Sequence, residues 1–163
     1  MFTFEKVLNF ILLIHTTPYA HMKTKGDIII VEDDPDDWEV LLDVFDQVMD
    51  EHKYENRVII FEDSTMVVDY LNECKADPFI IISDINMPFM NGYELQEKIH
   101  KDPLLGNKGT PYILMSTDNS TTNFFDNAAK SVQGYFNKPV DIDDYKVLIT
   151  NLLSYWKKNL LPS

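Results

Sequence analysis

Residues 28–35 read Ile28-Ile29-Ile30-Val31-Glu32-Asp33-Asp34-Pro35. The first four are apolar and β-branched with no polar alternation, the pattern of a strand buried on both faces of a parallel sheet. Asp34 followed by Pro35 is a helix N-cap with proline at the first helical position. The helix it opens carries Trp38, Leu41, Leu42, Phe45 and Val48 at spacings of three and four. This strand–acid–helix unit recurs along the chain. Strands are expected at Arg57–Phe61, Phe79–Ile82 running into Ser83 and Asp84, Tyr112–Met115 after Pro111, and Gly134–Phe136 before Lys138-Pro139. Helices are expected after Ser64 as a cap (Val67, Val68, Leu71), after Pro88 and Gly92 (Leu95, Ile99), over 119–132, and at the C-terminus (Tyr145, Leu148, Ile149, Leu152, Trp156). Five such units predict an α/β domain, a doubly wound parallel sheet with helices on both faces.

In open sheets of this class, ligands sit beyond the carboxyl ends of the strands. Glu32, Asp33 and Asp34 follow the first strand, Asp84 and Asn86 the third, Ser116 and Thr117 the fourth, and Lys138 the fifth. Converging carboxylates repel, so one keeps its proton or a cation sits between them. An all-oxygen set suits Mg²⁺. Mg²⁺ beside a free carboxylate, a hydroxyl and an ammonium is equipment for a phosphoryl group, and a carboxylate can itself be the nucleophile. Asp34, Asp36 and Asp37 read more simply as acids favoured by the helix dipole. Cys74 reads as a small apolar filler within a helix. His15, His21, His52 and His100 follow no core strand and read as surface residues.

The chain has 163 residues, 45% of them hydrophobic and 25% charged, as in one ordinary globule. Its 14 Lys and Arg against 27 Asp and Glu give a net charge of −13. Clustered cations are what a phosphate backbone or anionic bilayer requires, so nucleic-acid and membrane binding are excluded as direct functions. One cysteine excludes an intrachain disulfide framework and a Cys-rich zinc site, and it fits a cytoplasmic location. The apolar run Val7–Ile14 falls short of the ~18 residues of a membrane span. A second methionine, Met22, precedes a sequence that reads as a complete domain. Residues 1–24 are therefore expected to be an extension outside the fold, and 25–163 the domain.

The stretches IIIVEDDPDD, IIISDINMPFMNGYEL, PYILMST and GYFNKP together resemble the receiver domain of two-component response regulators, over about residues 25–158. The resemblance implies a flavodoxin-like fold, a five-stranded sheet of order 2-1-3-4-5. It implies Asp84 as phosphoacceptor, with Ser116 and Lys138 contacting the phosphoryl group. Glu32, Asp33, Asp84 and the carbonyl of Asn86 would hold Mg²⁺. Tyr135 would turn with Ser116 on activation. A cis Lys138–Pro139 bond and a backbone-permissive turn at Gly92 are also implied. Thr117 stands where the family usually has Ala or Gly, and so narrows access to the site. The long segment 100–110 and the tail with Tyr155-Trp156 are similar to the stand-alone regulators that partner phytochrome kinases.

On this resemblance the chain is a phosphorylation switch rather than an enzyme. Its donor would be a histidine kinase, with a phytochrome-type kinase as the candidate that the resemblance names, or a histidine phosphotransfer protein. Output would pass through partner binding at the face of the fourth helix, fifth strand and fifth helix. That face is also expected to pair two copies in a homodimer through Val147, Leu153 and Tyr155 of the last helix. An aspartyl-nucleophile phosphatase needs a second aspartate two residues after the first, and Asn86 stands there. No Gly-rich turn follows the first strand, which excludes a dinucleotide oxidoreductase.

Overall fold

The computed structural model describes residues 25–74, 76–117 and 132–158. The extension expected over 1–24 and all of the helix expected over 119–132 but its last residue lie outside them. The elements are β1 (Ile28–Val31), α1 (Pro35–His52), β2 (Val58–Phe61), α2 (Thr65–Glu73), β3 (Ile80–Asp84), α3 (Gly92–Lys101), a 3-10 turn (Gly106–Lys108), β4 (Tyr112–Ser116), β5 (Gly134–Asn137) and α4 (Ile142–Lys158). The strands form one parallel sheet in the order β2-β1-β3-β4-β5. This is the expected flavodoxin-like order.

The unbroken apolar runs follow from the two-residue period of a strand with both faces covered. Ile28, Ile30, Ile80, Ile82, Ile113 and Met115 join α1 and α4 in one core. Ile29, Val31, Ile81, Tyr112 and Leu114 join α2 and α3 in the other. Register sets Val31 beside Ser83, Asp84 beside Met115 and Ser116 beside Asn137. The polar groups that follow the apolar runs are thus delivered to one edge.

Helix starts show where local signals succeed and where packing overrides them. Asp34 caps α1, its side chain accepting from the Asp36 N–H at 2.9 Å. Asn91 and Glu94 make a reciprocal capping box at α3. Ser64 does not cap α2. Its backbone is already helical, and its buried hydroxyl donates to the Met90 carbonyl at 2.6 Å. Asp63 takes over, accepting from the Thr65 N–H at 2.9 Å and its hydroxyl at 2.6 Å. α2 is thereby tied to the loop that follows β3.

Four other expectations are corrected. Cys74 is exposed at the end of α2 rather than a filler, because the helix stops there. Leu153 is fully buried, since α4 packs against both the sheet and α1 and so hides a wide stripe. No cis peptide bond occurs among the described residues, so Lys138–Pro139 takes the trans form that X-Pro bonds favour by ≈ 0.5–1 kcal/mol. Gly92 has no positive φ; glycine is needed for space. A Cβ there would lie 2.3 Å from the Asp84 carbonyl oxygen and 2.9 Å from Leu114.

Candidate functional site

The site is assembled at the carboxyl edge of β1, β3, β4 and β5. Glu32 leaves β1 fully covered and accepts from the Asp34 N–H at 3.3 Å through Oε1. Asp84 closes β3 and is 6% exposed. Its Oδ2 accepts from the Asn86 N–H at 2.6 Å. Asn86 therefore meets Asp84 through its amide. The loop behind it is pinned by Gly92 N–H to the Ile85 carbonyl at 3.0 Å and by Ile85 N–H to the Met115 carbonyl at 3.1 Å. One oxygen each from Glu32, Asp33 and Asp84 lie within 4.8 Å of one another.

Lys138 enters from the far end of the sheet. Its backbone N–H bonds the Ser116 carbonyl at 2.8 Å, which aims the side chain back across β4. Its ammonium lies 2.7 Å from Glu32 Oε2, 2.7 Å from Asp37 Oδ2 and 2.7 Å from Asp84 Oδ1. Its three N–H donors thus meet three carboxylates. Burial pulls the Lys138 pKa down, but the bonds it donates to Asp37, Asp84 and Glu32 outweigh it, so the ammonium is held charged well above its usual range. Glu32 goes the other way. Burial pushes its carboxyl up to about 7 despite the attraction of Lys138, and the neighbouring Asp84 adds to the rise.

Among the residues singled out from the sequence, the structure gathers Glu32, Asp33, Asp84, Asn86 and Lys138. Ser116 is buried at the end of β4 beside them. Tyr135 lies on β5, half-buried against the core that holds Tyr93 and Leu114. Thr117 is exposed and lines a cleft of about 180 Å³ with Asp37, Lys138, Val140 and Tyr145. Asp37 is the residue that sequence reasoning missed. Its position in the first turn of α1 gave it a sufficient local role, and only the fold brings in a lysine from 101 positions away. Met66, Phe89, Val140 and Ile142 are exposed apolar residues at or near the same edge.

The oxygen-only donor set fits Mg²⁺, which takes hard oxygen ligands. With Lys138 supplying one positive charge among four carboxylates, the edge is left anionic and able to receive a divalent cation.

A family model, the response regulator receiver domain, matches residues 28–150. The probable transcriptional regulator ycf29 of Porphyra purpurea is 37% identical over 82 residues, 50% of this chain and 37% of that protein. The two-component response regulator ORR26 of Oryza sativa subsp. japonica is 30% identical over 119 residues, 73% of this chain and 19% of that protein. The chain thus spans well under half the length of these curated relatives. Among solved structures, the phosphorylated cyanobacterial phytochrome response regulator RcpA superposes with a TM-score of 0.71 at 21% identity, covering 85% of this chain and 99% of its own. The Mn²⁺-bound form of response regulator Rcp1 superposes with a TM-score of 0.69 at 22% identity, covering 85% and 99%. At these identities the structural likeness concerns the fold.

Proposed function

We propose, from the premise that this chain belongs to the response regulator receiver domain family, that it is a phosphorylation-dependent switch whose phosphoacceptor is Asp84. The observation that carries this reading is the Lys138 ammonium bridging Asp84 and Glu32 beside Asp33 at the strand ends. A carboxylate oxygen of Asp84 attacks the phosphorus of a phosphohistidine. The P–N bond breaks, the electron pair returns to the imidazole, and an aspartyl phosphate remains. Lys138 neutralises charge on the phosphoryl oxygens, and the Ser116 hydroxyl hydrogen-bonds one of them. The Asn86 N–H, 2.6 Å from Oδ2, holds the carboxylate in orientation. Glu32, Asp33, Asp84 and the Asn86 carbonyl would hold Mg²⁺, which supplies further neutralisation of the phosphoryl oxygens.

The donor is a histidine kinase, of the phytochrome type by the resemblance of segment 100–110 and the Tyr155-Trp156 tail, or a histidine phosphotransfer protein. Response regulators of this family work in two-component systems, and the cytoplasm is the proposed location. Among the described residues no helix is long and apolar enough to cross a membrane. On phosphorylation Ser116 moves toward the new oxygens and Tyr135 follows it. This biases the face of β5 and α4 toward a protein partner or a second copy. Val147 and Tyr155 are the exposed apolar residues of α4 on offer there.

The test is intact mass after incubation with Mg²⁺ and a small-molecule phosphodonor, wild type beside Asp84→Ala. The expected result is one phosphoryl adduct in the wild type, absent from the variant and abolished by EDTA. A folded wild type that gains no adduct, or a variant that keeps it, overturns the reading.

A further inference from the structure

Lys138 holds three carboxylates, and these differ in what else the site asks of them. On the function proposed above, Glu32 and Asp84 turn toward the cation and the phosphoryl group. Asp37 turns toward neither. It stands outside the oxygen cluster of Glu32, Asp33 and Asp84, with its side chain 35% exposed at the mouth of the cleft. The Lys138 side chain is only 5% exposed. A covered ammonium stripped of its acceptors is strongly disfavoured. Whenever Glu32 or Asp84 gives its oxygens to another ligand, Lys138 needs an acceptor that stays.

We propose that Asp37 is this acceptor, a positioning residue that draws the Lys138 ammonium aside from Glu32 and Asp84 and so admits the divalent cation. Without Asp37 the ammonium, already 2.7 Å from Glu32 and from Asp84, has only those two buried carboxylates as partners and competes with the metal for them. The inference rests on the reading of Glu32, Asp33 and Asp84 as the metal-holding group. Asp36 provides an internal control. It lies in the same first turn of α1 and is exposed, and its loss changes the net charge equally.

The experiment is Mg²⁺ titration of the full chain by calorimetry, with each variant's fold checked by urea unfolding. Asp37→Asn is expected to raise the Mg²⁺ Kd about tenfold, the lower end of what loss of a ligand-orienting partner produces. Asp36→Asn should stay within about twofold, since an exposed charge is largely screened. Asp37→Glu, which keeps the carboxylate and guards against misfolding of the amide variant, should restore most of the affinity. In a Lys138→Met background the Asp37→Asn effect should shrink below about twofold, because the two residues act as one unit. Equal effects of Asp37→Asn and Asp36→Asn overturn the proposal, as does an Asp37→Asn effect that survives removal of Lys138. A wild type that binds Mg²⁺ no better than Asp37→Asn overturns the positioning role alone. A wild type that binds none overturns the metal reading beneath it as well.

Discussion

Phe89 has a φ of 66° and is 91% exposed. Both are unfavourable for a phenylalanine. A left-handed backbone costs an L-residue roughly 1–2 kcal/mol, and the exposed ring recovers nothing by burial. Phe89→Ala keeps the φ cost and Phe89→Gly removes it, so the glycine variant should unfold about 1 kcal/mol harder than the alanine variant, read from urea denaturation. The strain sits in the loop between Asp84 and the capping box of α3, where such outliers concentrate near working sites. The strain is invisible in the sequence, because Pro88-Phe89-Met90 carries no glycine or asparagine to signal it. The site residues were more legible. Glu32, Asp33, Asp84, Ser116 and Lys138 each stand at or just past the carboxyl end of an expected strand, and a parallel sheet sends all such positions to one edge. Asp37 was not legible, because a helix N-terminus already accounts for an acid there.

At the scale of elements, α4 separates two kinds of apolar residue that periodicity alone confuses. Leu153→Ala should cost ~2–5 kcal/mol, as for a large core side chain. Tyr155→Ala, at an exposed position, should cost under ~1 kcal/mol. Chemical denaturation of the two variants side by side reads this directly. The last turns of α4 are held at the opposite end of the sheet from the site. Lys157 bonds Asn56, and its ammonium lies 4.5 Å from the ring centre of Tyr54 and 5.0 Å from that of Phe79. Residue 153 was misread because the helix is covered on two sides, and a stripe wider than one face does not show in spacing. The end of α3 offers a pH test. Asp102 accepts from Asn72 of α2 and from the Leu104 and Leu105 N–H groups, bonds that hold its carboxyl below the usual range. Its contribution is complete above the unfolded value of 3.8 and is lost as pH falls through the lowered folded value. The stability gap between wild type and Asp102→Asn should therefore hold from neutral pH down to about 4 and close below it, measured by thermal unfolding across pH.

The molecule as a whole carries a net charge of −13, with three carboxylates on one lysine and Asp33 beside them. A ligand that binds only the folded state stabilises it by RT ln(1 + [L]/Kd), ~2.7 kcal/mol at a hundredfold excess over Kd. Mg²⁺ should therefore raise the melting temperature beyond the effect of NaCl at equal ionic strength, and Asp33→Asn should abolish the difference, read by calorimetry. The parallel sheet was legible in the alternation of apolar runs with helical spacings. The strand order came from family resemblance, since spacing carries no record of which strands are neighbours. That order also has a bearing on how the chain is made. Every carboxylate of the edge lies between residues 32 and 84, while the lysine that offsets them leaves the ribosome some fifty residues later, on the order of 3–10 s at ordinary elongation rates. During that interval β1, β2 and β3 are available but their anionic edge has no internal cation. On the metal-holding role proposed above, Mg²⁺ from the surrounding solution is the cation within reach of that edge before the chain's own Lys138 is made.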